Sequence, residues 1–227
     1  MAQPKILPID DPDAPEAAAR AIVAGSVIAF PTDTVYGVGV DLWQPAAVAR
    51  LYALKGRPQE KALPVLLADA AEWTRVACDA PEAALRLMRA FWPGALTIVL
   101  PRRPDVPDAL APLAATSALR VPAHEPLRRV LARTGPLATS SANRSGEPPA
   151  SDAAAVRAAL GRATERERGP SPAGRRAALG AGLALLLDGG ALPPSAPSTV
   201  VDASGRQPTI LRHGAIPDDA IWRVISG

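Results

Sequence analysis

Cysteine is almost absent from this 227-residue sequence, lysine and histidine are scarce, and no apolar run is long. With one cysteine, Cys78, an internal disulfide is excluded, and no Cys or His stands near it at the spacing of a structural zinc site. Cys78 reads as a small buried or half-buried side chain. The two histidines, His124 and His213, stand apart without a partner pattern for a metal or a Ser-His-Asp triad, and read as structural or incidental. The longest apolar stretches, such as Leu183 to Leu187 and Ala95 to Leu100, fall far short of the roughly 20 residues that cross a bilayer. The first twenty residues hold early prolines and several acids in place of a basic stretch and an apolar run, so no secretory signal is read and a cytoplasmic address is expected. A G-x-x-x-x-G-K-[ST] loop is missing, and the glycine pairs Gly37/Gly39 and Gly180/Gly182 lack the third glycine of a dinucleotide fingerprint. Any nucleotide must be held another way.

What is present begins with 48% hydrophobic residues, ordinary for a globular protein with a core. The net charge is only +3, but arginine supplies all of the basic residues except Lys5, Lys55 and Lys61. Two of those lysines flank Arg57 within seven residues, which makes this stretch the first candidate anion site. The Ala, Pro and Arg richness elsewhere reads as base-composition bias, so basicity by itself says little about nucleic-acid binding.

Apolar spacing switches repeatedly between a period near 3.6 and short continuous runs, the pattern of an α/β fold. Helices are expected over Asp13 to Ala24, Gln44 to Leu54, Pro81 to Phe91, Glu125 to Arg133, Asp152 to Leu160 and Asp218 to Ile225. Ser151 or Asp152 would cap the fifth, and Asp79 with Pro81 marks the start of the third. Strands are expected over Ser26 to Pro31, Leu63 to Ala68, Ala95 to Leu100, Ser117 to Val121, Leu137 to Ser140, Leu183 to Asp188, Ser198 to Val201 and Thr209 to Arg212. Thr164 to Gly180 breaks the rhythm: rich in Arg, Gly, Pro and Ala, it reads as a mobile surface insertion, either a solvated loop or a nucleic-acid-binding arm. No internal repeat or other linker is visible, so residues 1–227 read as one domain with its core over about 12–225.

Four segments place small hydroxyl or cationic side chains at strand ends, where α/β proteins usually hold ligands. The first, Pro31 to Gly37, offers Thr32 and Thr34 directly after a buried strand, either to a polar ligand or as a capped turn. The second is Lys55-Gly56-Arg57-Pro58 with Lys61, whose cations could hold an anion or complement the dipole of the preceding helix. In the third, Thr139 to Asn143, four small polar side chains close an apolar run and need partners if buried. The fourth joins Ser198 to Asp202 with Leu211 to Gly214.

Taken in order, these segments resemble the threonylcarbamoyl-AMP synthases built on the YrdC-like domain. The likeness runs from about Ala24 to Ile216 through FPTDTVYGVG, LKGRP, FWPGALTIVL, LRVP, TSSANRSG, the DGG of Asp188 to Gly190, PSTVVD and ILRHG. It implies a single YrdC-like domain, a twisted mixed β-sheet flanked by helices with a concave basic ligand-binding surface. The implied reaction condenses L-threonine, bicarbonate and ATP, with Mg²⁺ travelling on the ATP, to threonylcarbamoyl-AMP and pyrophosphate for modification of tRNA. On matching residues, Thr32, Thr34, Arg120, Thr139 and Ser198 would hold threonine and bicarbonate. ATP would fall to Lys55, Arg57, Lys61, Thr116, Ser141, Asn143 and Arg212, with Lys55 and Arg57 catalytic; no protein general base and no protein-bound metal are expected. Partners implied are tRNA or double-stranded RNA and a downstream tRNA threonylcarbamoyl transferase. The chain departs from many relatives in having Leu66 where they carry histidine, in stopping short of the extra C-terminal domain of longer members, and in the insertion. Other readings are a carbamoyl-adenylate-forming module, an RNA-binding module, or a paralogue with changed chemistry.

Overall fold

A computed structural model describes residues 4–111, 114–160 and 182–226. The strands are β1 (Lys5–Pro8), β2 (Val27–Phe30), β3 (Gly37–Asp41), β4 (Val65–Leu66), β5 (Leu96–Pro101), β6 (Thr116–Arg120), β7 (Leu137–Ser141), β8 (Leu183–Asp188), β9 (Thr199–Asp202) and β10 (Thr209–Arg212). Six α-helices are described: α1 (Ala14–Val23), α2 (Pro45–Lys55), α3 (Glu82–Phe91), α4 (Glu125–Thr134), α5 (Ala153–Leu160) and α6 (Asp218–Ser226). The strands form one mixed sheet in the order β1-β8-β2-β3-β7-β4-β6-β5-β9-β10.

Side-chain alternation along β2 shows how the sheet divides two cores. Val27 and Ala29 join the larger cluster, beneath α2 and α3, while Ile28 and Phe30 join the smaller one, whose helical members come from α1 and α4. On this second face α1 and α4 pack mainly on each other and on the β8–β2 side. Further along, β5, β6 and β7 present Thr97, Ala118, Arg120 and Thr139, side chains too small or too polar to bury a helix. That stretch of the face is left open, and the cavity lies there.

Most elements fall where apolar spacing places them, and the differences have local causes. The strand expected over Leu63 to Ala68 shrinks to β4: Leu63 N–H goes to Leu110 O, Pro64 has no N–H to donate, and Pro64 O is taken by the Thr139 amide at 2.8 Å. β3 is not among the expected strands, and glycine holds two of its five positions. These glycines are needed for close approach, since a Cβ on Gly39 would lie 3.0 Å from the Phe30 ring and 3.3 Å from Thr139 Cγ2. β1 was not expected; it is a four-residue edge strand beside β8. Asp152 caps α5 through Ala155 N–H at 2.7 Å, as expected, whereas Asp79 gives α3 no side-chain cap. Cys78 is exposed, correcting the buried reading: it sits where residues 77 and 102 form a lone bridge at the sheet margin. His124 is structural, its Nδ1 accepting from Leu127 N–H at the start of α4. The insertion, 164–180, lies outside the described residues. Among the described residues no helix is long and apolar enough to cross a membrane.

Candidate active site

The cavity holds about 480 Å³ and is lined by Thr32, Thr34, Arg57, Leu66, Thr97, Arg120, Thr139, Ser141, Ser198 and Arg212, with Phe30, Val35, Pro64, Ala118 and Val200 among its apolar walls. The hydroxyl and cationic segments therefore meet on a face of the sheet and not along one edge of strand ends.

At one side the β2–β3 connection brings Thr34 to Arg120. Arg120 is 6% exposed and donates through Nη1 to Thr34 Oγ1 (3.0 Å), through Nη2 to Asp33 Oδ1 (2.6 Å) and through Nε to Gly94 O (2.9 Å). Thr32 Oγ1 donates its single proton to Val35 O at 2.8 Å, so the 3.0 Å contact between the two threonine hydroxyls must have Thr34 as donor. The chain Arg120 → Thr34 → Thr32 → Val35 O is thus directional, and fixes a guanidinium that still has two unused N–H groups. Burial lowers the Arg120 pKa and Asp33 opposes that shift; a guanidinium remains charged throughout.

Arg212 closes the opposite side. It donates to Ser198 O (2.8 Å from Nη2) and to Ser198 Oγ (3.0 Å), and Ser198 Oγ in turn meets Thr97 Oγ1 at 2.8 Å. Its pKa is lowered first by burial and then by the charge of Arg120, which places two like charges within mutual influence. Arg57 follows the C-terminus of α2, where Gly56 takes a left-handed conformation, and donates to Lys61 O (3.1 Å) and Ala62 O (2.9 Å) of its own loop. Burial lowers its pKa too, with Tyr52 opposing. Three guanidiniums therefore share one cavity; among the described residues no acid lines it, and Asp33, the acid beside Arg120, is already paired. Such a site favours ligands bearing several negative charges.

The family model described as Telomere recombination, that of the Sua5, YciO and YrdC proteins, matches residues 20–166, more than half of the chain. The chain belongs to the Sua5/YciO/YrdC family. Within it, a Bacillus subtilis threonylcarbamoyl-AMP synthase is 38% identical over 96% of this chain, which spans 58% of that protein. A Mycobacterium tuberculosis relative, provisionally given the same name, is 36% identical over 92% of this chain and 87% of its own length. The crystal structure of P. abyssi Sua5 complexed with L-threonine is 33% identical with a TM-score of 0.80, covering 93% of this chain and 57% of that one.

Not every residue carried over from the Sua5/YciO/YrdC family likeness reaches the cavity. Lys61 is exposed and contributes its carbonyl, to Arg57 and to Tyr52 Oη at 3.0 Å. Thr116 shares the cavity-facing side of β6 with Ala118 and Arg120; following the register through β4, it falls level with Ser141, at the other end of β6 from Arg120. Asn143 is buried behind Ser141, its amide Nδ2 donating to Glu147 O. Lys55 departs most from expectation. It is 2% exposed, does not line the cavity, and gives all three ammonium protons to protein acceptors: Ser141 O, Asn143 O (2.7 Å) and Asn143 Oδ1 (3.1 Å). A direct catalytic contact by Lys55 is corrected to a buried clasp. Burial, with a smaller push from Arg57, lowers its pKa from 10.5 to about 8.

Sequence reasoning missed Asp33, Thr97 and Tyr36. Asp33 stands between the two nominated threonines, and the position of Arg120 at the end of a strand was the available signal, since a cation buried there needs an acid beside it. Thr97 is the one hydroxyl inside the apolar run of β5. Tyr36 is fully buried; its hydroxyl donates to Gly190 O at 2.8 Å and accepts from Gly189 N–H at 2.9 Å. Burial pushes its pKa up to about 12.

Proposed function

We infer that the chain is an L-threonylcarbamoyladenylate synthase, a nucleotidyltransferase acting on L-threonine and ATP. The observation that carries this reading is the convergence of Arg57, Arg120 and Arg212 on one cavity whose remaining polar groups are hydroxyls. In the proposed reaction the threonine amine adds to the carbon of bicarbonate, giving a carbamate with loss of water. A carbamate oxygen then attacks the α-phosphorus of ATP, and pyrophosphate leaves. Carboxylate, bicarbonate and triphosphate repel one another, so three fixed guanidiniums both assemble them and stabilise the charge that builds on the phosphoryl and leaving group.

In this reading Arg120 holds the threonine carboxylate with its two unused N–H groups, Thr34 orients the same end, and Thr32 fixes Thr34. Arg57 and Arg212 face the phosphates, and Ser141 and Thr116 mark the nucleotide end of the open face. Leu66 gives the cavity an apolar wall where many relatives carry histidine. Among the described residues no trio of acidic, His or Cys side chains is grouped to cage a metal, and the cavity's donor set is cationic or hydroxylic. Mg²⁺ fits as a companion of the ATP phosphates, where it would neutralise part of their charge. The product would serve a transferase that delivers the threonylcarbamoyl group to tRNA adenosine.

The deciding experiment is pyrophosphate release by the purified protein with ATP and Mg²⁺, with and without threonine and bicarbonate, and mass spectrometry of the adenylate. Release that needs both co-substrates and yields a threonylcarbamoyl-AMP mass is expected. Folded protein that binds RNA in a salt-dependent way without turnover would instead favour an RNA-binding module.

A further inference from the structure

Lys55 is held as part of the framework of the nucleotide end, and its bonds show what it frames. Its ammonium satisfies Ser141 O, Asn143 O and Asn143 Oδ1, while its own carbonyl accepts Ser145 N–H at 2.9 Å. Asn143 Oδ1 also accepts from Ser141 Oγ at 2.5 Å, and Asn143 Nδ2 donates to Glu147 O. The C-terminal residue of α2 is therefore stitched by both its main chain and its side chain to the segment that leaves β7. Ser141, the cavity-lining member of that segment, takes part in the same knot. An ammonium has three N–H groups, and all three are spent here, so none is left for a ligand in this arrangement.

We propose that Lys55 is a positioning residue for the nucleotide: it acts through the Ser141–Glu147 segment that it pins, without touching the ligand itself. The proposal rests on the reading of the chain as an ATP-using synthase. Removing the ammonium takes the side-chain donor from Asn143 O and one of two donors each from Ser141 O, which keeps Asn143 N–H at 3.0 Å, and Asn143 Oδ1, which keeps Ser141 Oγ. A buried carbonyl deprived of its donor rearranges to find another, which loosens the wall that Ser141 presents to the cavity. The amino-acid end, built on Arg120 and Thr34, shares no bond with this knot and stays in place.

The test is a double-mutant cycle with Lys55→Met and Asn143→Ala, using ATP·Mg²⁺ binding by calorimetry and KM values for ATP and threonine. Each single variant is expected to weaken ATP binding on the order of 10- to 100-fold, by analogy with the loss seen when the partners that orient metal ligands are removed. The threonine KM is expected to stay within about 3-fold, and the double variant to bind no worse than the weaker single, because both changes break one knot. Hydrogen exchange at the Ser145 amide is expected to accelerate in Lys55→Met. Multiplying losses in the double variant would mean that Lys55 meets the nucleotide directly, and would overturn the proposal. If Lys55→Met does not fold, Asn143→Ala decides alone: wild-type ATP affinity in that variant refutes the positioning role. Wild-type protein that binds no ATP would bring down the synthase reading, and this inference with it; that arm is read before any variant is made.

Discussion

Replacing Arg120 by lysine tests the amino-acid end of the site while leaving a cation beside Asp33. Alanine would confound the experiment, because the Arg120–Asp33 pair is nearly buried (7% and 16% exposed side chains) and breaking such a pair from one side costs about 3–5 kcal/mol. That is a large part of the 5–15 kcal/mol that holds a typical domain together. Lysine keeps the charge but brings three N–H groups on one nitrogen in place of five on a planar fork. If Asp33 and Thr34 keep their share, one N–H remains where arginine offered two, and Gly94 O loses its donor. One charge-assisted hydrogen bond to the substrate carboxylate is worth about 1.5–3 kcal/mol, so threonine binding should weaken about 10- to 150-fold at 1.4 kcal/mol per tenfold. Stability should fall by about 1–3 kcal/mol from the unsatisfied carbonyl. Threonine binding by calorimetry, threonine and ATP KM values from pyrophosphate release, and urea unfolding separate these effects. An ATP KM within about 3-fold of wild type is expected. Equal rises in both KM values, or unchanged threonine affinity, would refute the role assigned to Arg120.

Arg57→Ala should abolish measurable turnover, a loss above about 100-fold as for removal of one transition-state charge donor, with a melting temperature close to wild type; normal pyrophosphate release would remove Arg57 from the mechanism. Gly214→Ala should destabilise the β10 side and weaken the site together. A Cβ there would lie 2.4 Å from Pro197 O and 2.5 Å from Thr199 N, backbone atoms that cannot yield without shifting Ser198 away from Arg212; unchanged melting and activity would contradict this. The clasp of Lys55 also predicts a pH signature. Its ammonium is fully protonated well below about 8 and is lost as pH rises through that value, so ATP affinity should hold from pH 6.5 to 7.5 and decline above 8. The unfolded chain keeps the same proton to about 10.5, so between these values it binds more protons than the folded chain, and stability relative to Lys55→Met should rise with pH. Titrating ATP affinity and urea midpoint across pH 6.5–10 checks both signs.

Much of this was legible because the fold is written in local signals. Buried strands such as Val27–Phe30 and Leu183–Asp188 are continuous apolar runs, and α1 and α2 end where Gly25 and Gly56 adopt positive φ. The concealed parts depend on contacts between distant segments. β3 has glycine at two of its five positions and so gives no strand signal, and the Phe30 ring lying against it explains those glycines. The site residues were found by chemical type, yet type does not tell a cation that faces a ligand from one that faces the protein. Arg57 and Lys55 sit two residues apart with the same nominal charge; one lines the cavity and the other is enclosed by carbonyls of the β7 segment, 86 residues or more away in sequence.

The rim of the cavity shows most clearly how topology completes the site. β8 and β9 are consecutive in sequence but seven places apart in the sheet, about 34 Å if neighbouring strands lie about 4.8 Å apart in a flat sheet. From Asp188 to Thr199 the chain could reach roughly 36–40 Å when fully drawn out. It is not free to run straight, because Gly190 O is held by Tyr36, Leu192 N–H by Ser151 O, and Ser195 Oγ donates to Thr34 O at 2.6 Å. A flat sheet would leave only about 2–6 Å of slack for these detours, so a twisted sheet that brings β9 nearer to β8 accommodates the anchored connection more easily. Pro193, Pro194 and Pro197 suit an extended backbone that makes no ladder bonds of its own. The segment is mostly exposed and yet is placed by its length and its anchors, and it delivers Pro197 and Ser198 to the cavity wall. The Arg212 side of the site and the turn beside Arg120 are therefore tied to the same connection: shortening it would draw Ser198 off Thr97, and lengthening it would release Ser195 from the turn that orients Arg120.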